Sequence, residues 1–388
     1  VLCVTPWFPA YQEDPAGSYI VDSLRALRNL GHEIDVLVTQ PWRPRFLRRV
    51  SRRTDWTDEF PVHWSHYFSI PRHYFRFVSN CFYKLKVVSL MKRLHKRSPY
   101  QVIHAHTEIC GLAAVKMAQQ SHLPVIVTVH GIDTCARMWK GFAGRMIDHA
   151  LLRATRVVFV GDPLARFFSA RLPIVDNFRV VSNGFRMPFA NMVKPDEEPW
   201  LGQLRLISVS NLVEGKGVDL NIQMLAKLHK KGVRNWHYTI VGGGADRKKL
   251  EALVVGLGLT KYIEFVGACD HDRVYAYLRK AHIFVLPSYR EAFGIVYAEA
   301  MAMGLLTIAV KGEGAEAMIR HGETGLLVEP KNVDDLANVL SMALMAPDEM
   351  KLIAVRGREY IYNHFTWRHH AEKLAEVYQE ARGECDGS

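Results

Sequence analysis

The sequence predicts an α/β protein of two domains, each a parallel sheet flanked by helices, and three observations carry that expectation. A chain of 388 residues exceeds what one hydrophobic core usually organises, so two domains of roughly 200 residues are expected. The amino-terminal stretch reads strand, loop, helix, strand. Val1 to Thr5 is apolar, Pro6 to Gly17 is a loop ending in Ala16 and Gly17, and Tyr19 to Leu30 sets Ile20, Leu24 and Leu27 at helical spacing before Gly31 and the strand Ile34 to Val38. The same order returns in Ile283 to Ala309. There an apolar run is stopped by Pro287 and Ser288, a loop carries Glu291, a helix from Phe293 through Met303 includes Glu299, and Gly304 precedes the apolar run Leu305 to Val310. Such crossovers belong to parallel sheets and put their loops at the carboxyl edge, where open α/β folds bind ligands.

The remaining elements follow in order. Gln101 to Ala105 reads as a strand and Gly111 to Gln120 as a helix, so His106, Thr107 and Glu108 fall at another carboxyl edge. Val125 to Val129 ends in His130, Gly131, Ile132 and Asp133; taken alone, a histidine at a strand end is more often structural than catalytic. Val157 to Val160 and Phe178 to Val181 are further strands, the second running into Ser182, Asn183 and Gly184, where Asn183 suits a turn. Met187 to Gly202, with three prolines and mixed charge, reads as an interdomain linker. Leu204 to Val209 restarts the pattern, followed by a loop from Ser210 to Gly217 in which Lys216 stands between two glycines and has little packing role. Trp236 to Val241 runs into Gly242, Gly243 and Gly244, which permit close approach of a ligand or make a tight turn. Tyr262 to Val266 leads into Gly267, Ala268 and Cys269, and Trp367 to Glu380 is the last helix.

Composition bounds the function. About half of the residues are apolar, yet no uncharged apolar run reaches the roughly 18 residues of a bilayer-spanning helix. Val1 opens inside an apolar strand with no basic stretch ahead of it, so no signal peptide is expected. Cys3, Cys81, Cys110, Cys135, Cys269 and Cys385 are scattered without a Cys-x-x-Cys pair, as expected of free thiols in a reducing cytoplasm. The net charge of +11 is concentrated between Pro41 and Arg97, where 14 Lys and Arg face three acids. A localised cationic patch fits a polyanionic surface, either anionic lipid or nucleic acid. Its aromatics fall in no recognisable RNA motif, so no specific nucleic-acid partner is expected. Within the patch, Asn80 to Arg97 sets Tyr83, Val87, Leu90 and Leu94 on one helical stripe. The stripe either lies in a membrane headgroup boundary or faces the domain core, and the cations stay available to anionic lipid in both cases.

The stretch LPSYREAFGIVYAEAMAMG, Leu286 to Gly304, resembles the donor-site signature of the retaining glycosyltransferases of family 4 almost position by position, with Ala292 where glycine is more usual. His-Gly-x-Asp at His130 to Asp133, the loop ending at Gly17, the turn at Asn183, Lys216, the loop ending at Cys269, Glu316, and Gly325 to Pro330 are similar to that family as well. The resemblance spans nearly the whole chain and is least constrained from Pro41 to Arg97. It implies the GT-B arrangement, two Rossmann-like domains facing each other over a cleft. The implied parts are an acceptor domain over 1–190, a nucleotide-sugar donor domain over 200–365 and a helix, 366–388, that returns to the first domain.

The resemblance also implies roles. Glu291 contacts the donor sugar and steadies its cationic carbon, His130 orients the sugar and excludes water, and Lys216 grips the leaving diphosphate together with backbone N–H groups of Phe293, Gly294 and Ile295 at the helix start. Glu299 holds the ribose hydroxyls, the backbone at Cys269 pairs with the donor base, and Gly17 lets phosphate or acceptor approach. The sequence departs from the family at Ala16, where a second glycine is usual, and at Asn211, where related enzymes carry arginine. Asn211 offers a neutral hydrogen bond in place of a charged fork; Arg290, another cation or a metal is the available compensation.

The expected activity is retaining transfer of a sugar from a nucleotide-diphosphate sugar to a hydroxyl of a glycan or lipid-linked acceptor, in surface polysaccharide assembly. No cofactor is expected to be required. The expected place is the cytoplasm, with residues 41–97 as a surface for the inner face of the plasma membrane. The competing readings are a weak or inactive nucleotide-sugar-binding homologue, on account of Asn211, and an epimerase or phosphorylase on the same fold.

Overall fold

Both halves of the chain close their apolar runs into parallel sheets. A computed structural model describes residues 1–9, 17–42, 59–69, 76–131, 141–172, 176–187, 200 and 202–386. Contacts divide the chain into two units, Val1–Asn183 with Trp367–Ser388, and Gly184–Thr366.

In the first unit the elements run β1 (Leu2–Thr5), α1 (Ser18–Asn29), β2 (Asp35–Pro41), β3 (Val62–Tyr67), α2 (Arg76–Arg97), β4 (Ile103–Ala105), α3 (Glu108–Ser121), β5 (Val125–Val129), α4 (Gly141–Arg153), β6 (Arg156–Phe159), α5 (Asp162–Ser169) and β7 (Phe178–Val180). The strands pair in the order β3-β2-β1-β4-β5-β6-β7, all parallel. β1, β4, β5 and β6 are buried at every position, as expected of parallel strands covered by helices on both faces. Gly17 caps α1 at φ 80°, and a Cβ there would lie 2.5 Å from the Trp7 carbonyl oxygen, so only glycine fits.

One expectation is corrected here and one open alternative is decided. α3 begins at Glu108 rather than Gly111, because Thr107 caps it and accepts the Cys110 N–H at 3.2 Å. On α2, Tyr83, Val87 and Leu94 are buried together with Met91, while Leu90 is only half-buried. The apolar stripe therefore faces the core, and insertion of that stripe into a membrane is excluded. The C-terminal helix Trp367–Asp386 belongs to the first unit, where Ala371, Leu374, Val377, Tyr378 and Ala381 share a buried cluster with Leu24 and Leu27.

The second unit runs β8 (Leu204–Val209), α6 (Val218–Lys230), β9 (Trp236–Val241), α7 (Arg247–Gly256), β10 (Ile263–Gly267), α8 (His271–Lys280), β11 (Ile283–Val285), α9 (Ile295–Ala302), β12 (Leu306–Val310), β13 (Leu326–Val328), α10 (Val333–Met345) and α11 (Pro347–His364). Its strand order is β10-β9-β8-β11-β12-β13, again all parallel. This is the doubly wound order, with a topological switch between β8 and β11 in this unit and between β1 and β4 in the other. Asn221 of α6 is fully buried; its amide donates to Ser208 Oγ at 3.1 Å, Tyr238 Oη at 2.9 Å and the Val285 carbonyl at 3.0 Å. That polar knot, in which the amide nitrogen is partnered and Asn221 Oδ1 is not, ties the start of α6 to the two strands that flank the switch.

Candidate donor site and histidine cluster

At the second unit's switch point, the loop after β8 and the loop after β11 are locked together by backbone contacts. The N–H of Tyr289 donates to the Gly215 carbonyl at 2.9 Å, and Ser288 Oγ donates to the same oxygen at 3.2 Å. Gly217 has φ 72°, and a Cβ there would fall 2.3 Å from the Pro287 carbonyl oxygen. Any side chain would push the loops apart, so the Lys216 loop and the Glu291 loop act as one piece. Their side chains meet: Lys216 Nζ lies 2.7 Å from Glu291 Oε2, both partly buried. The two residues expected to carry chemistry in this unit thus form one ion pair at the carboxyl edge.

The Glu291 loop is pinned on its other side as well. The Glu291 N–H donates to Glu313 Oε2 at 2.8 Å, and its carbonyl accepts the Gly314 N–H at 3.0 Å. A Cβ at Gly314 would sit 2.4 Å from backbone atoms of Ala292 and Phe293. Glu313 was not legible in the sequence, since nothing in its spacing links it to a loop 22 residues earlier. Phe293 is buried, and Gly294 at φ 79° is the cap from which α9 starts at Ile295. The helix is therefore shorter than expected at both ends, and its first amides, which have no carbonyl within the helix, open beside the ion pair. Tyr297 Oη donates to the Leu286 carbonyl at 2.8 Å and holds the helix against β11.

Glu299 is 6% exposed, with Oε1 3.2 Å from His271 Nε2. His271 is a second residue that the sequence analysis missed. The available signal was Asp270, which caps α8 by accepting the Arg273 N–H at 2.8 Å and so places His271 at a helix start. Cys269 is half-buried two residues earlier, and burial raises its thiol pKa. Asn211 is exposed. The arm of Arg290 passes over Gly215, its carbons 3.1 to 3.4 Å from where a Cβ would stand, which puts a cation on the loop that carries Lys216. In the triple glycine, Cβ atoms at Gly242 and Gly244 would strike the Ser210 and Leu212 carbonyl oxygens at 1.8 and 2.2 Å, whereas Gly243 meets only Ala268 at 3.7 Å. The outer two glycines thus serve the protein's own backbone, and the middle one leaves room.

In the first unit neutral polar groups gather at the carboxyl ends of β4 and β5, against the C-terminal helix. His130 follows β5, its Nε2 3.2 Å from His106 Nδ1, with the rings stacked; Tyr19 packs against it at 5.0 Å. His104 is hydrogen-bonded to Tyr378 Oη and Thr128 Oγ1, both at 2.7 Å. His370 donates from Nδ1 to the Ser182 carbonyl at 2.8 Å, which leaves its Nε2 to accept the Ser23 hydroxyl at 2.8 Å. Burial lowers all four pKa values, to about 3 for His104 and His130, to about 4 for His370 and well below the ordinary value for His106. The cluster is uncharged at neutral pH. Among the described residues, His106 Nε2 and His130 Nδ1 are buried without a hydrogen-bond partner, and no group of three His, Cys, Asp or Glu side chains is arranged to hold a metal ion. Ala16 and Asp133 lie outside the described residues.

Two doubly wound parallel units, one with a charged and glycine-locked switch point, define the class of GT-B glycosyltransferases. Residues 16–187 match the family model for Glycosyltransferase Family 4, and residues 194–359 match that for Glycosyl transferases group 1. Glycogen synthase of Mycobacterium tuberculosis H37Rv is 30% identical over 296 residues, 73% of this chain and 70% of that protein. The chain belongs to glycosyltransferase family 4. A GDP-mannose-dependent phosphatidylinositol monomannoside mannosyltransferase of Mycolicibacterium smegmatis is 28% identical over 179 residues, 44% of this chain and 47% of that protein. Among solved structures, sucrose-phosphate synthase from Thermosynechococcus elongatus superposes with a TM-score of 0.76 at 22% identity, over 99% of both chains. Anabaena HepE in complex with UDP and glucose superposes with a TM-score of 0.72 at 18% identity, over 97% of this chain and 99% of that one.

Proposed function

We propose that the chain is a retaining hexosyltransferase that moves a sugar from a nucleotide-diphosphate sugar to a hydroxyl of a glycan or lipid-linked acceptor. The observation that carries this reading is the Lys216–Glu291 pair at 2.7 Å beside the start of α9. In such a transfer negative charge grows on the departing phosphate oxygen and positive charge on the anomeric carbon, two atoms joined by the breaking bond. Groups of opposite charge that are themselves neighbours match that arrangement. Lys216 and the first amides of α9 answer the phosphate, and Glu291 answers the carbon. Glu299, close to His271, takes the ribose hydroxyls, and the backbone near Cys269 takes the base. His130, neutral at pH 7, suits a sugar hydroxyl rather than a phosphate.

No resident cofactor enters this scheme; the leaving phosphate itself takes the acceptor proton, so retention needs no covalent enzyme intermediate. The cations of residues 41–97 favour an acceptor presented on an anionic membrane, as in surface polysaccharide assembly from the cytoplasmic side. The UDP complexes of HepE and the GDP-mannose dependence in the mycobacterial relative's name support a nucleotide-sugar donor. A second reading, a weak or inactive homologue, rests on exposed Asn211. A screen of nucleotide sugars by thermal shift, followed by product analysis with the stabilising donor, separates the two. Transfer with the anomeric configuration kept supports the proposal, whereas binding without turnover supports the alternative.

A further inference from the structure

Three helices of the first unit share a seam that the donor chemistry does not use. A pocket of about 280 Å³ is lined by the apolar Leu112 of α3 and Phe142 and Met146 of α4 together with the cationic Lys84 of α2, Lys116 of α3 and Arg145 of α4. Beside it large apolar side chains face solvent. Leu85 is 70% exposed, Phe142 56%, Phe68 54%, Phe82 46% and Phe77 43%. The rings are paired edge to face, Phe68 with Phe82 at 5.4 Å and Phe77 with Phe142 at 4.9 Å, and Arg145 lies 5.3 Å from the Phe142 ring. Single exposed apolar residues are ordinary, but a ridge of paired rings running into a pocket marks an interaction surface.

The charge selects the partner. α2 carries Lys84, Lys86, Lys92, Arg93, Lys96 and Arg97 and no acid from Arg76 to Arg97. On α4 the one acid, Asp148, is engaged by Arg171 at 3.2 Å. A nucleic acid would take the cations, and a single strand could stack on a ring, but either would leave the aliphatic Leu85 in water. A plane of phosphates over hydrocarbon satisfies both. We propose that this seam docks the chain on a bilayer of anionic phospholipid, with Phe82 and Leu85 entering the acyl boundary and a headgroup phosphate held among Lys84, Lys116 and Arg145. The buried stripe of Tyr83, Val87 and Leu94 takes no part; the opposite face of the same helix does. The choice of partner rests on the proposed membrane-presented acceptor.

The test is flotation of the full chain with vesicles of phosphatidylglycerol and phosphatidylcholine, at about 0.1 M salt and at about 1 M, where the Debye length falls to ~3 Å. The expected result is binding that weakens at high salt but persists. Burying each apolar side chain is worth roughly a factor of ten, so Phe82→Ser with Leu85→Ser weakens binding about a hundredfold, and Lys84→Glu with Arg145→Glu abolishes it at low salt. Absence of wild-type binding, its complete loss at high salt, or an unchanged Phe82/Leu85 double variant would overturn the proposal. Nucleotide-sugar binding is measured on the same samples. Docked protein that takes no nucleotide sugar would sink the transferase reading and leave the membrane surface standing.

Discussion

The two units share a doubly wound strand order, with one more strand in the first, and differ in what stands at the carboxyl edge. In the second, Lys216 and Glu291 form an ion pair on loops joined by glycines whose conformations admit no other residue. In the first, His104, His106, His130 and His370 are held neutral by burial. One scaffold thus presents charge at the edge of one sheet and uncharged hydrogen-bonding groups at the edge of the other. The difference teaches that the doubly wound topology supplies only a crevice, and that loop residues decide what it can hold.

Acid breaks the comparison most strongly. A histidine whose folded pKa lies below 6.5 stays neutral in the native state while the unfolded chain takes up a proton, so stability is intact above pH 6.5 and falls as pH drops towards the folded values of about 4 and 3. The loss approaches about 1.4 kcal/mol per pH unit for each such histidine. Native-state hydrogen exchange, corrected for intrinsic rates, is expected to find β4, β5 and the C-terminal helix opening before the second unit between pH 6.5 and 4. Simultaneous opening of both units would contradict the assignment of the acid-labile charge to the first.

Next in size are Lys216→Ala and Glu291→Gln. Each removes one side of the charge response and is expected to cost roughly 2.7–4 kcal/mol of transition-state stabilisation, a hundred- to thousandfold in kcat, with an unchanged circular dichroism spectrum. Gly314→Ala sharpens the point, because it touches no ligand. The new methyl strikes the Ala292–Phe293 backbone that follows Glu291, and overpacking of about 1–3 kcal/mol is expected to appear as lost turnover with the fold retained. The smallest effect concerns Arg290. If it stands in for the arginine missing at Asn211, Arg290→Ala lowers kcat/KM about tenfold, the factor of ~1.4 kcal/mol, and Asn211→Arg restores it. Additive rather than compensating effects in the double variant would show that the two positions do not share a task.

Much of this was legible before the coordinates. The crossovers at Val1 to Val38 and Ile283 to Val310 are carried by apolar runs and glycine stops, and both appear as parallel units. Lys216 and Glu291 were legible individually, through glycine flanks and family pattern, but their contact was not, because a long-range ion pair leaves no local trace. The same holds for Glu313 on the Glu291 backbone, for His271 on Glu299, and for the Asn221 knot. β3 escaped because its residues are all only half-buried and show no continuous apolar run. The direction of α2 was ambiguous because its apolar stripe serves a core as well as a membrane; burial of Tyr83, Val87 and Leu94, joined by Met91, decides it.

The most direct measurement is calorimetric titration of a panel of nucleoside diphosphates into the wild type and Lys216→Ala. The account predicts that the best ligand binds the wild type and binds the variant at least about tenfold more weakly, as loss of a charge-assisted contact of roughly 1.5–3 kcal/mol requires. Equal affinity for the two proteins would contradict it, because the diphosphate would then lie away from the loop after β8.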